Sequence, residues 1–288
     1  LDAAIALMRN ADTAMYYAKT RGRSRCELYT DNMRNSAKER AILSASLEQA
    51  LANHELHLVY QPVLSPHSLR VVGAEALLRW RHPTLGLLTP SSFVDLAEES
   101  GMIVPIGEWV VRQACTDLRQ WLNEKRVDRQ FVLHVNVSPR QVGDSRFVEK
   151  TLAAVKDADL QPQHIALEFN EKMLIQDSGS TLRTLQSMKR FGFRLSIDDF
   201  GTGYSSLSLL QKFPIQRLKI DKSFVSGVAQ DESARSLVRT IIAMGDSLGL
   251  DMVAEGIESV QQLQILAEMK CSKAQGFLIS HPVPPESI

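Results

Sequence analysis

Two periodicities of apolar and polar positions run along the chain, and from Leu56 onward they take turns. Short runs rich in Val, Ile, Leu and Phe fall at Leu56–Val63, Val71–Arg79, Phe131–Val137, Ile165–Phe169, Arg194–Asp198, Arg217–Ile220, Asp251–Glu255 and Lys273–Phe277, and they read as strands. Between them apolar residues recur every three to four positions. This spacing predicts helices over Phe93–Glu99, Trp109–Glu124, Phe147–Ala158, Thr181–Phe191, Tyr204–Lys212, Ala234–Leu248 and Val260–Met269. Ser91 and Ser92 offer N-cap oxygens, and Gly192 and Gly249 stand where helix C-caps favour glycine. Strands alternating with helices in this way predict an α/β fold, a modified TIM-type (β/α)8 barrel. The first connection, Ser65 to Arg70, is too short for a crossover helix, so the first two strands are expected to be antiparallel. A doubly wound open sheet is the alternative. Against it, Phe200-Gly-Thr-Gly-Tyr-Ser-Ser206 lacks the third glycine of a dinucleotide fingerprint.

The start of the chain follows a different rule. Leu1 to Lys19 has helical spacing of Ile5, Met8, Ala11, Ala14, Met15 and Ala18, followed by basic Arg21-Gly-Arg-Ser-Arg25 and a strand-like Cys26-Glu-Leu-Tyr29. One helix and one strand cannot bury a core alone, so residues 1–30 are expected to be the tail of an upstream domain. Asp31 to Arg40 is polar and reads as a linker helix, and Ala41 to Leu51 continues in helical period. Residues 41–288 are expected to form the barrel.

Acidic residues and one asparagine recur where the apolar runs end: Glu75, Asn136, Glu168, the pair Asp198-Asp199, and Glu255. In a (β/α)8 barrel those strand ends share one face, where chemistry resides. Burying five carboxylates together requires compensating cations. The donor set is all oxygen, with no histidine or cysteine in matching places, which favours hard metals such as Mg²⁺ or Mn²⁺ over zinc. Read singly, each residue leaves alternatives open. Glu75, Leu77 and Arg79 share a strand face and suit a metal, a base and a phosphate, or a salt bridge inside the barrel. Asp198-Asp199 suits a metal bridge, or a helix N-cap or solvated loop. Lys219 shares a face with Asp221 and either acts on an attacking water or makes a plain ion pair with that aspartate. His134 reads as a satisfied interior histidine, and Met244 and Met252 as core.

Bulk charge narrows the partners. Lys+Arg 33 against Asp+Glu 33 leaves no net charge, so there is no electrostatic footprint for duplex nucleic acid or an anionic membrane. No apolar run has the length of a membrane span. Three scattered cysteines, Cys26, Cys115 and Cys271, form no disulfide framework and no metal knuckle. They suit a reducing cytoplasm, whatever anchors the full-length protein upstream.

Taken together, Glu75-Ala-Leu77 within Glu-Ala-Leu-Leu-Arg79, Asn136-Val-Ser138, Asp198-Asp-Phe-Gly-Thr-Gly-Tyr-Ser-Ser-Leu207, Leu218-Lys-Ile-Asp221, Val253-Ala-Glu-Gly-Ile-Glu258 and Gln275-Gly-Phe277 resemble the EAL-domain cyclic di-GMP phosphodiesterases in order and spacing. Ala11 to Arg25 resembles the closing helix of a GGDEF (diguanylate cyclase) domain, without the residues of the cyclase signature. The resemblance implies hydrolysis of cyclic di-GMP to linear 5′-pGpG with two Mg²⁺ or Mn²⁺ ions, inhibition by Ca²⁺, and a homodimer working in bacterial second-messenger signalling. It implies that Glu75, Asn136, Glu168 and Asp198 hold one ion, with Asp198 bridging to a second held by Asp199 and supported by Glu255. It further implies that Lys219 contacts the attacking water, Arg79 clamps a phosphate, and Gln61 and Leu77 touch the nucleotide. Glu258 and Gln275 would orient waters. Glu171 would hold the loop of Phe200, Gly201, Thr202 and Gly203, which links the metal site to a dimer interface. One departure stands out. Where the family usually carries Leu-Glu-x-Thr-Glu-Ser, this chain has Leu167-Glu-Phe-Asn-Glu-Lys172, which bears on the loop more than on the metal ligands. A catalytically silent cyclic di-GMP receptor is the alternative from another class, although no ligand position and not the lysine is lost.

Overall fold

The structure, a computed structural model, describes residues 2–20, 26–173, 179–201 and 207–288. Strand β1 (Leu56–Leu64) pairs antiparallel with β2 (Val71–His82) from Leu56↔Trp80 to Leu64↔Val71. The tight Ser65–Arg70 connection enforces this, as expected. From β2 the sheet continues in parallel through β4 (Val132–Asn136), β5 (Ile165–Asn170), β6 (Arg194–Phe200), β7 (Arg217–Ile220), β8 (Asp251–Ala254) and β9 (Lys273–Ala274). Strand β9 then pairs antiparallel with β1 at Leu64↔Ala274, closing an eight-stranded barrel in which β1 opposes both neighbours. A short β3 (Gly86–Leu88) folds back on β2 outside the ring.

The helices cover the outside: α3 (Val94–Ser100), α4 (Ile103–Asn123), α5 (Pro139–Val142), α6 (Phe147–Asp157), α7 (Ser180–Phe191), α8 (Leu207–Lys212), α9 (Lys222–Val225), α10 (Glu232–Ser247) and α11 (Val260–Glu268). Their apolar faces pack on the outward strand positions, with Trp80, Phe93, Leu118 and Trp121 among the fully buried side chains. Trp80 meets Phe93 edge-on at 5.3 Å and Tyr60 meets Trp121 at 4.7 Å. Met252 is buried and Met244 packs against the core, both as predicted. Gly192, at φ 99°, caps α7 in the left-handed region, and Gly249, at φ 68°, follows α10.

Several expectations change. Helix α4 begins at Ile103, well before the predicted Trp109, because Pro105 lies in its first turn, where no intrahelical N–H is needed. Gly107 belongs to that helix because a Cβ there would lie 1.9 Å from the Gln141 amide. Ser91 and Ser92 cap no helix: they lie in a 3-10 turn (Pro90–Ser92) whose backbone bonds, Ser92 N–H to Thr89 O and Phe93 N–H to Pro90 O, precede α3. The predicted last strand is cut to Lys273–Ala274, because from Gln275 the backbone bonds instead to Ala254 and Ile257. Cys26–Tyr29 is not a strand, since no described strand lies beside it to complete a ladder. Before the barrel, α1 (Asp2–Thr20) packs on α2 (Asp31–Ala50), and α2 is continuous across the expected boundary at residues 40 and 41. Among the described residues no helix is long and apolar enough to cross a membrane.

Candidate active site

Alternate strand positions point into the barrel, and here many of the inward positions are charged. Lys219 on β7 is 1% exposed and lies among four carboxylates, from β2, β5, β6 and the residue after β8. Its Nζ is 2.7 Å from Glu255 Oε1, 2.8 Å from Glu168 Oε2, 3.1 Å from Glu75 Oε2 and 3.2 Å from Asp198 Oδ1. Burial alone would drive the proton off this amine. Asp198, Glu168, Glu255 and Glu75 outweigh burial and hold its pKa well above the usual lysine value. The expected pair with Asp221 does not form. Strand β7 ends at Ile220, and Asp221 turns to cap α9, accepting the Ser223 N–H at 2.9 Å.

The carboxylates are held from behind. Glu75 Oε1 accepts the Asn136 amide at 2.6 Å, and Oε2 accepts the Gln275 amide at 2.8 Å. Gln275 Nε2 also donates to Gln61 Oε1 at 3.0 Å, and Gln61 Nε2 to the Ser280 carbonyl at 3.0 Å. Burial pushes Glu75 up, but Lys219, Gln275 and Asn136 hold it below the usual range. Glu168, fully buried, is pushed up to about 7 by burial and by Glu75, against the pull of Lys219. Asp198 is pushed up to about 6 by burial, with Glu168 and Glu75 adding to it. Glu255 is raised well above the usual range by burial, with Asp198 and Glu75 adding to it against the pull of Lys219. His134 Nδ1 lies 2.6 Å from Glu168 Oε1, and burial with the nearby Arg217 and Lys219 lowers its pKa well below the usual value.

Asp199 sits at φ 54°, a left-handed backbone that aspartate tolerates better than most residues. Its N–H donates to Asp198 Oδ1 at 3.0 Å, and its Oδ2 accepts the Asn170 amide at 3.0 Å. The asparagine that departs from the family pattern therefore grips the second aspartate. Glu171, 1% exposed, accepts the Gly201 N–H at 2.9 Å, and Gly201 adopts φ 98° beside the Phe224 ring. Phe200 is buried at the end of β6; Thr202 and Gly203 lie outside the described residues.

Above this floor opens a cleft of about 330 Å³, bounded by Glu75, Asp199, Glu255, Glu258, Gln61 and Gln275. Phe277, also on its wall, is 55% exposed and stacks on His281 at 4.1 Å. Leu77 and Arg79, half-buried on β2, are not part of the lining, and Arg79 Nη1 donates to the Leu78 carbonyl at 2.8 Å. Sequence reasoning missed Phe277 and the grip of Asn170, and it gave His134 no role toward Glu168. The aromatic next to Gln275-Gly276 was the available signal for the first.

Two sets of oxygens could each hold a cation. Carboxylate oxygens of Glu75, Glu168 and Asp198 lie within 4.8 Å of one another, as do those of Asp198, Asp199 and Glu255, so Asp198 belongs to both. Every donor in the two sets is a carboxylate oxygen, which fits hard divalent metals. Fold and site thus define a (β/α)8-barrel protein with a buried acidic centre able to hold cations.

The EAL domain family profile matches residues 44–282, and the chain belongs to that family of metal-dependent cyclic di-GMP phosphodiesterases. It is 41% identical over 283 residues to the bifunctional diguanylate cyclase/cyclic di-GMP phosphodiesterase MucR of Pseudomonas aeruginosa, covering 98% of this chain and 41% of that protein. It is 38% identical to the signaling protein YkoW of Bacillus subtilis, covering 97% of this chain and 35% of that one. The chain thus spans well under half of these relatives. The solved PaMucR phosphodiesterase in complex with c-di-GMP superposes with a TM-score of 0.81 at 40% identity, over 85% of this chain and 99% of that one. The EAL enzyme Bd1971, in its cAMP- and cyclic-di-GMP-bound form, gives 0.82 at 36% identity, over 88% and 68%.

Proposed function

We propose that this chain hydrolyses cyclic di-GMP at one phosphodiester bond to give linear 5′-pGpG, using two divalent cations held by the acidic centre. The observation that carries the reading is the pair of carboxylate triads sharing Asp198, built around a buried ammonium. Glu75, Asn136, Glu168 and Asp198 hold one ion, and Asp198, Asp199 and Glu255 the other. Five carboxylates and one ammonium leave four negative charges, which two divalent ions match. When bound, such ions make water nucleophilic at neutral pH and offset charge on the phosphoryl oxygens.

The chain's own groups do the rest. As an ammonium Lys219 can only donate, so its part is to orient the attacking water. Gln61 and Gln275, joined by a hydrogen bond on the cleft wall, bind the nucleotide, and Glu258 holds water at the rim. Arg79 reaches a phosphate by leaving the Leu78 carbonyl. Glu171 fixes the start of the loop after Asp199, and a homodimer across α8 and its neighbour sets that loop's position. The solved PaMucR complex with c-di-GMP supports the choice of ligand.

Incubation of the purified chain with cyclic di-GMP and Mg²⁺ or Mn²⁺, with chromatography of the products, tests the reading. A single linear product that vanishes with chelator is expected, with Ca²⁺ inhibiting because it prefers longer bonds and more ligands. Tight binding of cyclic di-GMP without product in either metal would make the chain a receptor instead.

A further inference from the structure

At the amino ends of the strands the barrel opens into another cleft, of about 360 Å³, which shares no residue with the cleft above the acidic centre. In (β/α)8 barrels this end normally serves stability and not chemistry. Here its wall carries charge. Arg194 opens β6, Lys273 opens β9, and Asp128 and Arg129 come from the loop before β4, while Val72 and Val132 give the cleft an apolar side. Further in, Arg217 opens β7 and Asp251 opens β8. These two strand ends meet Lys273 at one oxygen: Asp251 Oδ2 lies 2.7 Å from Lys273 Nζ and 3.3 Å from Arg217 Nη2.

Counter-charge is short at this end. Among the described residues no carboxylate is paired with Arg129 or Arg194, and Asp128 is turned to its own loop, its Oδ1 accepting the Gln130 N–H at 2.7 Å. Four cations against two carboxylates leave two positive charges. Burial and the nearby Arg217 hold the Lys273 pKa below the usual value, and Arg194 adds to this, although Asp251 pulls the other way. The cations are also held in place. Arg194 Nε donates to the Gln163 carbonyl at 3.0 Å, and its two terminal NH₂ groups have no partner among the described residues. His164 Nε2 lies 3.1 Å from the Arg129 carbonyl oxygen and so ties down the loop that carries Arg129. Arg217 Nε and Ser196 Oγ, on residues that are register partners across β7 and β6, are buried without a hydrogen-bond partner among the described residues. Hydrogen-bonding capacity here exceeds what the protein itself fills.

We propose that this cleft binds a small organic phosphate monoester, whose phosphate lies between Arg129, Arg194 and Lys273 and whose carbon skeleton covers Val72 and Val132. A phosphate monoester carries close to two negative charges at neutral pH on a single group, which matches the unbalanced charge of one cleft. A diester carries one, and a dicarboxylate divides its charge between two ends. The terminal nitrogens of arginine suit phosphate oxygens taken in pairs. The volume falls within the range of about 300–1,000 Å³ usual for small-molecule sites, which leaves room for more than a bare phosphate ion. The inference stands apart from the phosphodiesterase reading and uses none of the residues proposed for that reaction.

Isothermal titration calorimetry of the purified chain with glycerol 3-phosphate tests the site, with EDTA present so that no phosphate binds through a metal. The wild type is expected to bind, and Arg129→Gln/Arg194→Gln to bind at least about tenfold more weakly through loss of charge-assisted hydrogen bonds. Asp128→Asn keeps an acceptor for the Gln130 N–H and removes the acid on the wall, so it should tighten binding about threefold. Damage to the fold would not produce that gain. Inorganic phosphate lacks the carbon skeleton and succinate divides its charge, so each should bind at least about threefold more weakly than the ester. Should the double variant fail to fold, Asp128→Asn and the ligand series decide the matter. No binding by the wild type, wild-type affinity in the double variant, or weaker binding by Asp128→Asn overturns the proposal. So does inorganic phosphate or succinate that binds as tightly as the ester, the first marking a site for phosphate ions and the second a site for dicarboxylates.

Discussion

Replacing Lys219 by methionine keeps most of the side-chain volume and removes the one charge that four buried carboxylates share. At an effective dielectric of about 20, each ammonium–carboxylate pair near 3 Å is worth roughly 5 kcal/mol of attraction. Most of that is offset by the desolvation of the ions, so the cost is better taken from buried pairs that lose one partner, about 3–5 kcal/mol. For a domain of this size each kcal/mol shifts Tm by about 2–4 °C. Metal-free Lys219→Met is therefore expected to melt about 10 °C or more below the wild type at pH 8. The deficit should shrink toward pH 6. Lys219 holds Glu168, Asp198 and Glu255 down against burial, so without it they take up protons more readily and discharge the cluster. Mn²⁺ should restore stability by supplying charge in place of the ammonium. Turnover is a separate readout: cyclic di-GMP should still bind while hydrolysis falls about 10²-fold or more, from loss of the group that orients water. Calorimetry with and without Mn²⁺ at the two pH values, paired with product chromatography, carries the test. Equal melting of variant and wild type at pH 8 without metal, with equal turnover, would refute the reasoning.

The same cluster sets a pH trend in the wild type. With Glu168 raised to about 7 and Asp198 to about 6, the folded metal-free chain binds more protons than the unfolded one between about pH 4 and 7. These groups therefore add stability as pH falls from 8 to 6, and in saturating Mn²⁺ the slope should reverse, because protons then compete with the metal; denaturant titrations at pH 6 and 8 read the sign directly. Asn170→Val strips the donor from Asp199 Oδ2 and should lower kcat/KM about tenfold, the scale of one hydrogen bond to a charged group. Asn170→Thr, with a hydroxyl donor, should stay within about threefold, and a valine variant as active as the wild type would show that the contact is idle. Glu171→Ala frees the Gly201 N–H just beyond Asp199, where a 1 Å displacement can cost about 10²-fold. It should lower turnover at least tenfold with circular dichroism unchanged, and sedimentation at the assay concentrations shows whether the effect follows dimer formation.

Much of the barrel was legible because its strands are buried on both faces and its helices on one, so the two periods stay separable. What sequence pattern misread were places where a neighbour overrides local preference. Pro105 and Gly107 look like helix breakers, yet the first sits in a turn that needs no N–H and the second makes room for Gln141. Cys26–Tyr29 has a strand's composition but no ladder to join. The acidic ligands could be found because residue type marks each one within or just beyond an apolar strand, although Glu75 was expected at a strand end and lies in the middle of β2. Which carboxylates Lys219 would meet could not be read locally, since they come from β2, β5, β6 and the residue after β8, while the local candidate, Asp221, was committed to capping α9.

His134 shows the same limit from the other side. Its strand alternates cleanly, and alternation correctly turns it inward and satisfied, but alternation carries no information about which atom of the ring is protonated. Nor does it show that the ring lies against Arg217, which is 83 residues away in sequence. The surroundings of Glu168 are therefore built by three strands together: β4 supplies the ring, β5 the carboxylate and β7 both the arginine and the lysine. Because Arg217 and Lys219 are two residues apart on one strand, they point into the barrel together. Any shift of β7 along its axis would therefore displace the guanidinium beside His134 and the charge-balancing ammonium at once. Register along β7, pinned by pairs such as Leu218↔Met252 and Ile197↔Leu218, is thus the structural variable to which the geometry of the whole centre is most tightly tied.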